Sequence, residues 1–100
     1  MIYITQLIYL IDGQESTFDQ FESVAIPIIA KYNGQLLIRT RPAASSNIEL
    51  NMEPPYEIHL IEFATEKDFE NFMVDPERKK FVHLKEQSIR AAFLIKGTKL

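Results

Sequence analysis

Residues 57–63, EIHLIEF, are the stretch on which the fold turns. Ile58, Leu60, Ile61 and Phe63 put apolar groups on both parities, with Glu57, His59 and Glu62 between them, and the run reads as a strand over 56–64. Working outward, the run before it (43–55, AASSNIELNMEPP) has no period and carries Ser, Asn and a Pro pair, so it is a loop, and a long one. Before that loop, LLIRTR forms the centre of a strand over 35–41 that Pro42 stops. After EIHLIEF, Thr65 is placed to cap a helix whose buried stripe is Phe69, Phe72 and Met73. Asp75-Pro76 breaks it and starts another helical segment, with Phe81 and Leu84 facing in. IRAAFLI then centres a last strand over 88–96, ended by Gly97.

The N-terminal half completes the order. Residues 2–11 are apolar and β-branched and end at the turn pair Asp12-Gly13, which makes a first strand. Thr17 lies three residues before Gln20, the spacing of a capping box. Phe18, Phe21, Ala25, Ile28 and Tyr32 then recur at steps of three and four, one face of an amphipathic helix. Pro27 sits inside it and removes a backbone bond. Asn33-Gly34 ends it, with glycine free to turn left-handed. The order β-α-β-β-α-α-β predicts an α+β, ferredoxin-like domain over residues 1–100, a four-stranded antiparallel sheet with helices on one face.

Bulk properties narrow the function. The chain has 100 residues, 46% hydrophobic and 25% charged, with a formal net charge of −3. That balance does not suit nucleic acid, whose affinity comes mainly from Lys and Arg neutralising phosphates. Cysteine is absent, which removes disulfides, thiolate metal sites and cysteine nucleophiles and fits a reducing compartment. The N-terminal MIYITQLIYLID lacks a basic leader and is interrupted by Gln6 and Asp12, so no membrane partner is expected and the expected location is cytoplasmic.

Alternation assigns each strand two faces. Ile4, Ile8 and Leu10, Leu36 and Ile38, Ile58 and Leu60, and Ile89, Ala91, Phe93 and Ile95 form one set, expected under the helices with Gln6 and Glu62 as its polar members. Tyr3, Thr5, Leu7 and Tyr9, Leu37, Arg39 and Arg41, His59, Ile61 and Phe63, and Arg90, Ala92 and Leu94 form the other. A face of roughly 400 Å² with this much apolar surface needs a cover. A second copy related by a two-fold axis supplies one, with a cavity between the two sheets.

The run AIPIIAKYNGQLLIRTRP, then IEFATEKDFENFMVDPERKKF, then the strand ending FLIKG, resembles the domain-of-unknown-function family 1330, in the dimeric α/β-barrel superfamily. The resemblance implies a ferredoxin-like fold and a barrel-forming homodimer. It implies no single chemistry, since superfamily relatives include monooxygenases, haem-degrading enzymes, dehydratases and lactone isomerases. The loop ELNMEPP departs from the shorter connection of that pattern.

The polar candidates each carry two readings. His59 is placed as a general acid/base, or as a histidine bonded across the sheet. Arg39 suits a substrate anion, or an ion pair with Glu57 or Glu62, and Arg41 the ion pair. Arg90 has the same choice. Tyr3 and Tyr9 either donate to a ligand or pack. Glu62 caps a helix, Asp75 is an N-cap, and Glu77-Arg78-Lys79-Lys80 is a solvated charge run that also carries His83. His59 and His83 are 24 residues apart and form no ligand spacing, and the three glycines form no phosphate loop, so neither metal nor cofactor is expected. The resulting expectation is a small-molecule pocket in the dimer cavity. There His59 moves a proton, Arg39 holds a carboxylate or carbonyl compound, and Tyr3, Tyr9 and Arg90 line the wall. Isomerase, lyase or monooxygenase-like chemistry without a cofactor fits this set. The alternative is a non-catalytic binding or accessory module.

Overall fold

In the computed structural model, which describes residues 1–100, the predicted elements all form. They are β1 (Ile2–Leu10), α1 (Glu15–Ile29), a short 3-10 turn (Ala30–Tyr32), β2 (Gly34–Thr40), β3 (Glu57–Phe63), α2 (Glu66–Met73), α3 (Pro76–Lys80), α4 (Val82–Ser88) and β4 (Ile89–Gly97). The connection after β2 contains only one further 3-10 turn, Ala44–Ser46. The strands pair antiparallel in the order β2-β3-β1-β4. The molecule measures 36 × 35 × 16 Å, a depth of two layers. The fold is ferredoxin-like. No helix is long and apolar enough to cross a membrane.

Local chemistry sets the helix ends. The Thr65 hydroxyl accepts from the Asp68 N–H at 3.1 Å, and Asp75 Oδ1 from the Arg78 N–H at 2.9 Å, so both predicted caps form. Thr17 is a correction. The helix begins at Glu15, because the turn at Gly13 (φ 82°) already delivers the Gln14 carbonyl to the Phe18 N–H at 3.0 Å. Thr17 therefore lies inside the first turn, and its hydroxyl donates to Gln14 Oε1 at 3.0 Å. After α1 the left-handed residue is Asn33 (φ 57°), not Gly34. Gly34 is required for room: a Cβ there would stand 2.7 Å from Ile29 Cγ2 and from the Phe63 ring.

The assignment of faces needs the larger correction. In β3 the residues Glu57, His59, Ile61 and Phe63 are buried beneath the helices, and Ile58, Leu60 and Glu62 face outward. This is the reverse of the expected parity for that strand. The register explains how the neighbours follow. A bulge in β2 between Leu36 and Ile38 leaves Leu36 beside Ile61 but turns Ile38 to the open face beside Leu60, and it brings Arg39 beside His59. A second shift, at Tyr9/Leu10 against β4, keeps Ile89 under the helices. It then moves Ala92 and Leu94 to that side, and Ala91, Phe93 and Ile95 to the open one. In β1 the expected parity holds: Ile4, Gln6 and Ile8 face the helices, and Tyr3 and Leu7 the open side.

The consequence is a sheet with two distinct faces. Under the helices, Ile4, Ile28, Ile29, Ile61, Phe63 and Phe72 pack into the main apolar cluster at one end, and charged groups gather at the other. The open face is more apolar than expected: it gains Ile38, Ile58, Leu60, Ala91, Phe93 and Ile95 along with Glu62, and loses His59, Arg39 and Arg41 along with Ile61, Phe63, Ala92 and Leu94. Its Ile38, Phe93 and Ile95 are each half or more exposed, at 51, 50 and 56%.

Candidate functional site

The charged end of the helix–sheet interface is built around Glu57, the first residue of β3, which is completely buried. Its Oε2 accepts from Arg39 Nε at 2.9 Å and its Oε1 from Arg41 Nε at 2.7 Å. His59, two residues on and therefore on the same face, is hydrogen-bonded through Nε2 to Glu57 Oε2. Burial alone pushes the Glu57 carboxyl up. The bonds from His59, Arg39 and Arg41 more than reverse this and hold its pKa at about 2. An ionised carboxylate can only accept, so His59 carries its proton on Nε2. Nδ1, the remaining nitrogen, has no protein partner.

His59 also lines a cavity of about 240 Å³ between the helices and the sheet. The wall is mostly apolar, with Phe21 and Ile29 of α1 and Phe69 and Phe72 of α2. Its polar members come from five elements: Gln6 of β1, Glu22 of α1, His59 of β3, Arg78 of α3 and Lys85 of α4. Glu22 is buried, and its carboxyl makes no hydrogen bond in the protein. Burial pushes its pKa up, against the opposing pull of His59. An acid favoured in its neutral form beside a histidine oriented by an ionised carboxylate is a constellation suited to proton transfer.

The expected site residues are thus separated into two groups. His59 and Arg39 lie under the helices, but Arg39 is occupied by Glu57, with Asp19 3.8 Å away, and does not line the cavity. The ion pair foreseen with Glu57 forms; none forms with Glu62, which faces outward. Tyr3, Tyr9 and Arg90 belong to the open side and meet neither His59 nor the cavity. Tyr3 lines a shallow depression with Leu37, Leu60 and Glu62. The Tyr9 hydroxyl donates to the Glu53 carbonyl at 2.8 Å, and Arg90 Nη2 reaches both Glu53 carboxylate oxygens at 2.7 and 2.8 Å. These two residues therefore fasten the long loop to the end of the open face. His83 is exposed, as expected.

Sequence reading missed Glu22, Arg78 and Lys85. A signal existed for Glu22, which sits between Phe21 and Ala25 on the inward stripe of α1. Arg78 was assigned to a solvated run, yet it is buried, because the Asp75 cap fixes the rotation of α3 and turns Arg78 inward over the Phe72 ring at 5.2 Å. No group of acids and histidines could hold a metal ion.

No family model matches the chain, so family 1330 itself is not supported, and no curated protein matches it. Solved structures do match. A protein of unknown function from Rhodopseudomonas palustris superposes with a TM-score of 0.81 at 14% identity, covering 99% of this chain and 82% of that one. A dabb family protein with a ferredoxin-like fold from Mesorhizobium loti gives 0.70 at 16% identity, covering 99% and 96%. A protein from Bacteroides fragilis, described as dimeric, of unknown function and of ferredoxin-like fold, gives 0.67 at 14% identity, covering 96% and 93%. At these identities the likeness establishes the fold.

Proposed function

We propose that the chain pairs with a second copy through its open sheet face, and that each copy takes a small carbonyl or carboxylate compound in the cavity beneath its own helices. There His59 acts as a general base without an external cofactor. The observation that carries this reading is the Glu57–His59 pair at the cavity wall. Glu57 accepts from Nε2 and so fixes the ring, which leaves Nδ1 unpartnered, while burial raises the Glu22 carboxyl on the same cavity wall. Proton abstraction next to a carbonyl, as in an isomerase or lyase, needs that pairing of base and acid. Arg39, Tyr3, Tyr9 and Arg90 have no part in it.

The test is α-hydrogen exchange of 2-oxobutanoate in D2O, followed by proton NMR. The expected result is exchange faster with the wild type than with His59→Gln by about 10²–10⁴, the range for one general base. A second reading is favoured by the bonding of both His59 and Arg39 to Glu57, which suits a purely structural cluster. Under it the cavity only binds, and equal exchange by the two proteins decides for that reading.

Support for the pairing comes from the apolar centre of the open face and from the dimeric relative from Bacteroides fragilis. Leu60, central in the sheet and on the open side, is the position to probe. Leu60→Asp is expected to sediment as a monomer where the wild type sediments as a dimer. Equal sedimentation of the two proteins overturns the proposed interface.

A further inference from the structure

Arg78 is a buried cation with an unmet donor. It is 8% exposed, and its guanidinium stacks on two rings, Phe72 at 5.2 Å and Phe21 at 5.7 Å. Nη1 donates to the Met73 carbonyl at 3.3 Å. Nε is the one buried side-chain nitrogen or oxygen in the protein with no partner at all, and Nη2 has none either. Nε and Nη2 form the edge that grips a carboxylate in two parallel bonds. That edge is free, while the opposite one is in use.

The protein's own acids do not fill it. Asp75 is committed elsewhere: Oδ1 accepts from the Arg78 backbone N–H, and Oδ2 takes the Tyr32 hydroxyl, with Lys31 Nζ at 3.6 Å. Glu22 forms no ion pair with Arg78, and burial favours its uncharged form. A second cation stands close by. Lys85 lines the same cavity without an ion-pair partner, and its pKa is lowered by burial and by the charge of Arg78. A mostly apolar cavity whose two cations form no ion pair, one of them with a buried donor unmet, suits an anion. Leaving a buried donor unmet costs about 1–3 kcal/mol, more for a charged group.

We propose that the cavity ligand is a small apolar monocarboxylate, its head forked on the Nε–Nη2 edge of Arg78 beside Lys85 and its hydrocarbon body among Phe21, Ile29 and Phe72. This rests on the cavity beneath the helices being a ligand site, and it adds the ligand's charge and its anchor. The volume of about 240 Å³ is that of about eight water-sized units, the scale of hexanoate or benzoate. The stacked rings hold the guanidinium plane in place, so little side-chain freedom is lost when the head docks.

The experiment titrates hexanoate and its neutral counterpart hexanamide into the protein and follows backbone amide resonances by NMR. Hexanoate is expected to shift resonances of cavity residues and to bind at least about 10-fold more tightly than hexanamide, the value of one charge-assisted bond. In Arg78→Gln the acid is expected to lose that advantage while the amide binds as before. Lys85→Gln, which lines the same cavity, gives the same comparison should Arg78→Gln not fold, with a smaller loss. Equal binding of acid and amide by the wild type overturns the carboxylate assignment and leaves the cavity site standing. Binding of neither overturns both.

Discussion

Glu57→Gln will lower stability by about 3 kcal/mol, the lower end of the cost of breaking a buried ion pair, and will take about 12–24 °C off Tm. Glutamine keeps the shape but not the charge. Arg39 and Arg41 would then converge on a neutral group, and the amide N–H₂ would face donors that need an acceptor. The cost stays at the lower end because both arginines are partly exposed, at 35 and 45%, and can turn toward water. The pH dependence gives a second signature. The folded Glu57 carboxyl lies at about 2 against an ordinary 4.5, so its contribution is complete above pH 4.5 and is lost as pH falls toward 2. Urea unfolding at steps between pH 6 and 2 should show the wild type weakening steeply across that window and the variant less so. The variant keeps part of the slope, because Glu66 and Asp75 are also lowered on folding, through bonds from Lys96 and Tyr32 respectively. A variant as stable as the wild type at pH 6 would contradict the role given to Glu57.

Phe63→Ala will cost about 4 kcal/mol, or about 16–32 °C in Tm. Phe63 is fully buried at the opposite, apolar end of β3. Its ring centroid lies 5.5 Å from those of both Phe69 and Phe72, and its edge fills the room that Gly34 leaves. Three rings from one strand and one helix fix α2 on the sheet, so truncation removes contacts that no neighbour can replace without moving backbone. Unlike the Glu57 effect, this loss should be the same at pH 3 and pH 6. The urea midpoint should fall with the slope unchanged, since the surface exposed on unfolding hardly alters. A loss below about 2 kcal/mol would mean that the helices collapse into the gap.

These two residues mark what could be read from the chain and what could not. The order of elements, the turn at Gly13, and the caps at Thr65 and Asp75 rest on local signals, and each appears where the residues put it. The side of the sheet to which His59 belongs rests on no local signal. In EIHLIEF, Ile58 and Leu60 compete with Ile61 and Phe63, and polar-outward logic chose wrongly. It assumed that a face holding histidine and arginine cannot lie under helices. Here it can, because Glu57 bonds two arginines and His59 at once and α1, α3 and α4 bring Glu22, Arg78 and Lys85 to the same end. Two register shifts then carried the neighbouring strands along, and neither is visible in a period-two pattern. The fold was legible because it depends on where elements start and stop. The site was not, because it depends on which charges find one another across elements far apart in sequence.

The cavity has a mechanical meaning as well as a chemical one. Protein interiors are packed as densely as organic crystals, and this small chain instead keeps a cavity of about 240 Å³ between its helices and its sheet. Unfolding abolishes such a void, so the disordered chain with its water occupies less room than the native one. Compression therefore acts against this fold at temperatures where heat does not, and an occupant that fills the void removes the volume on which pressure works.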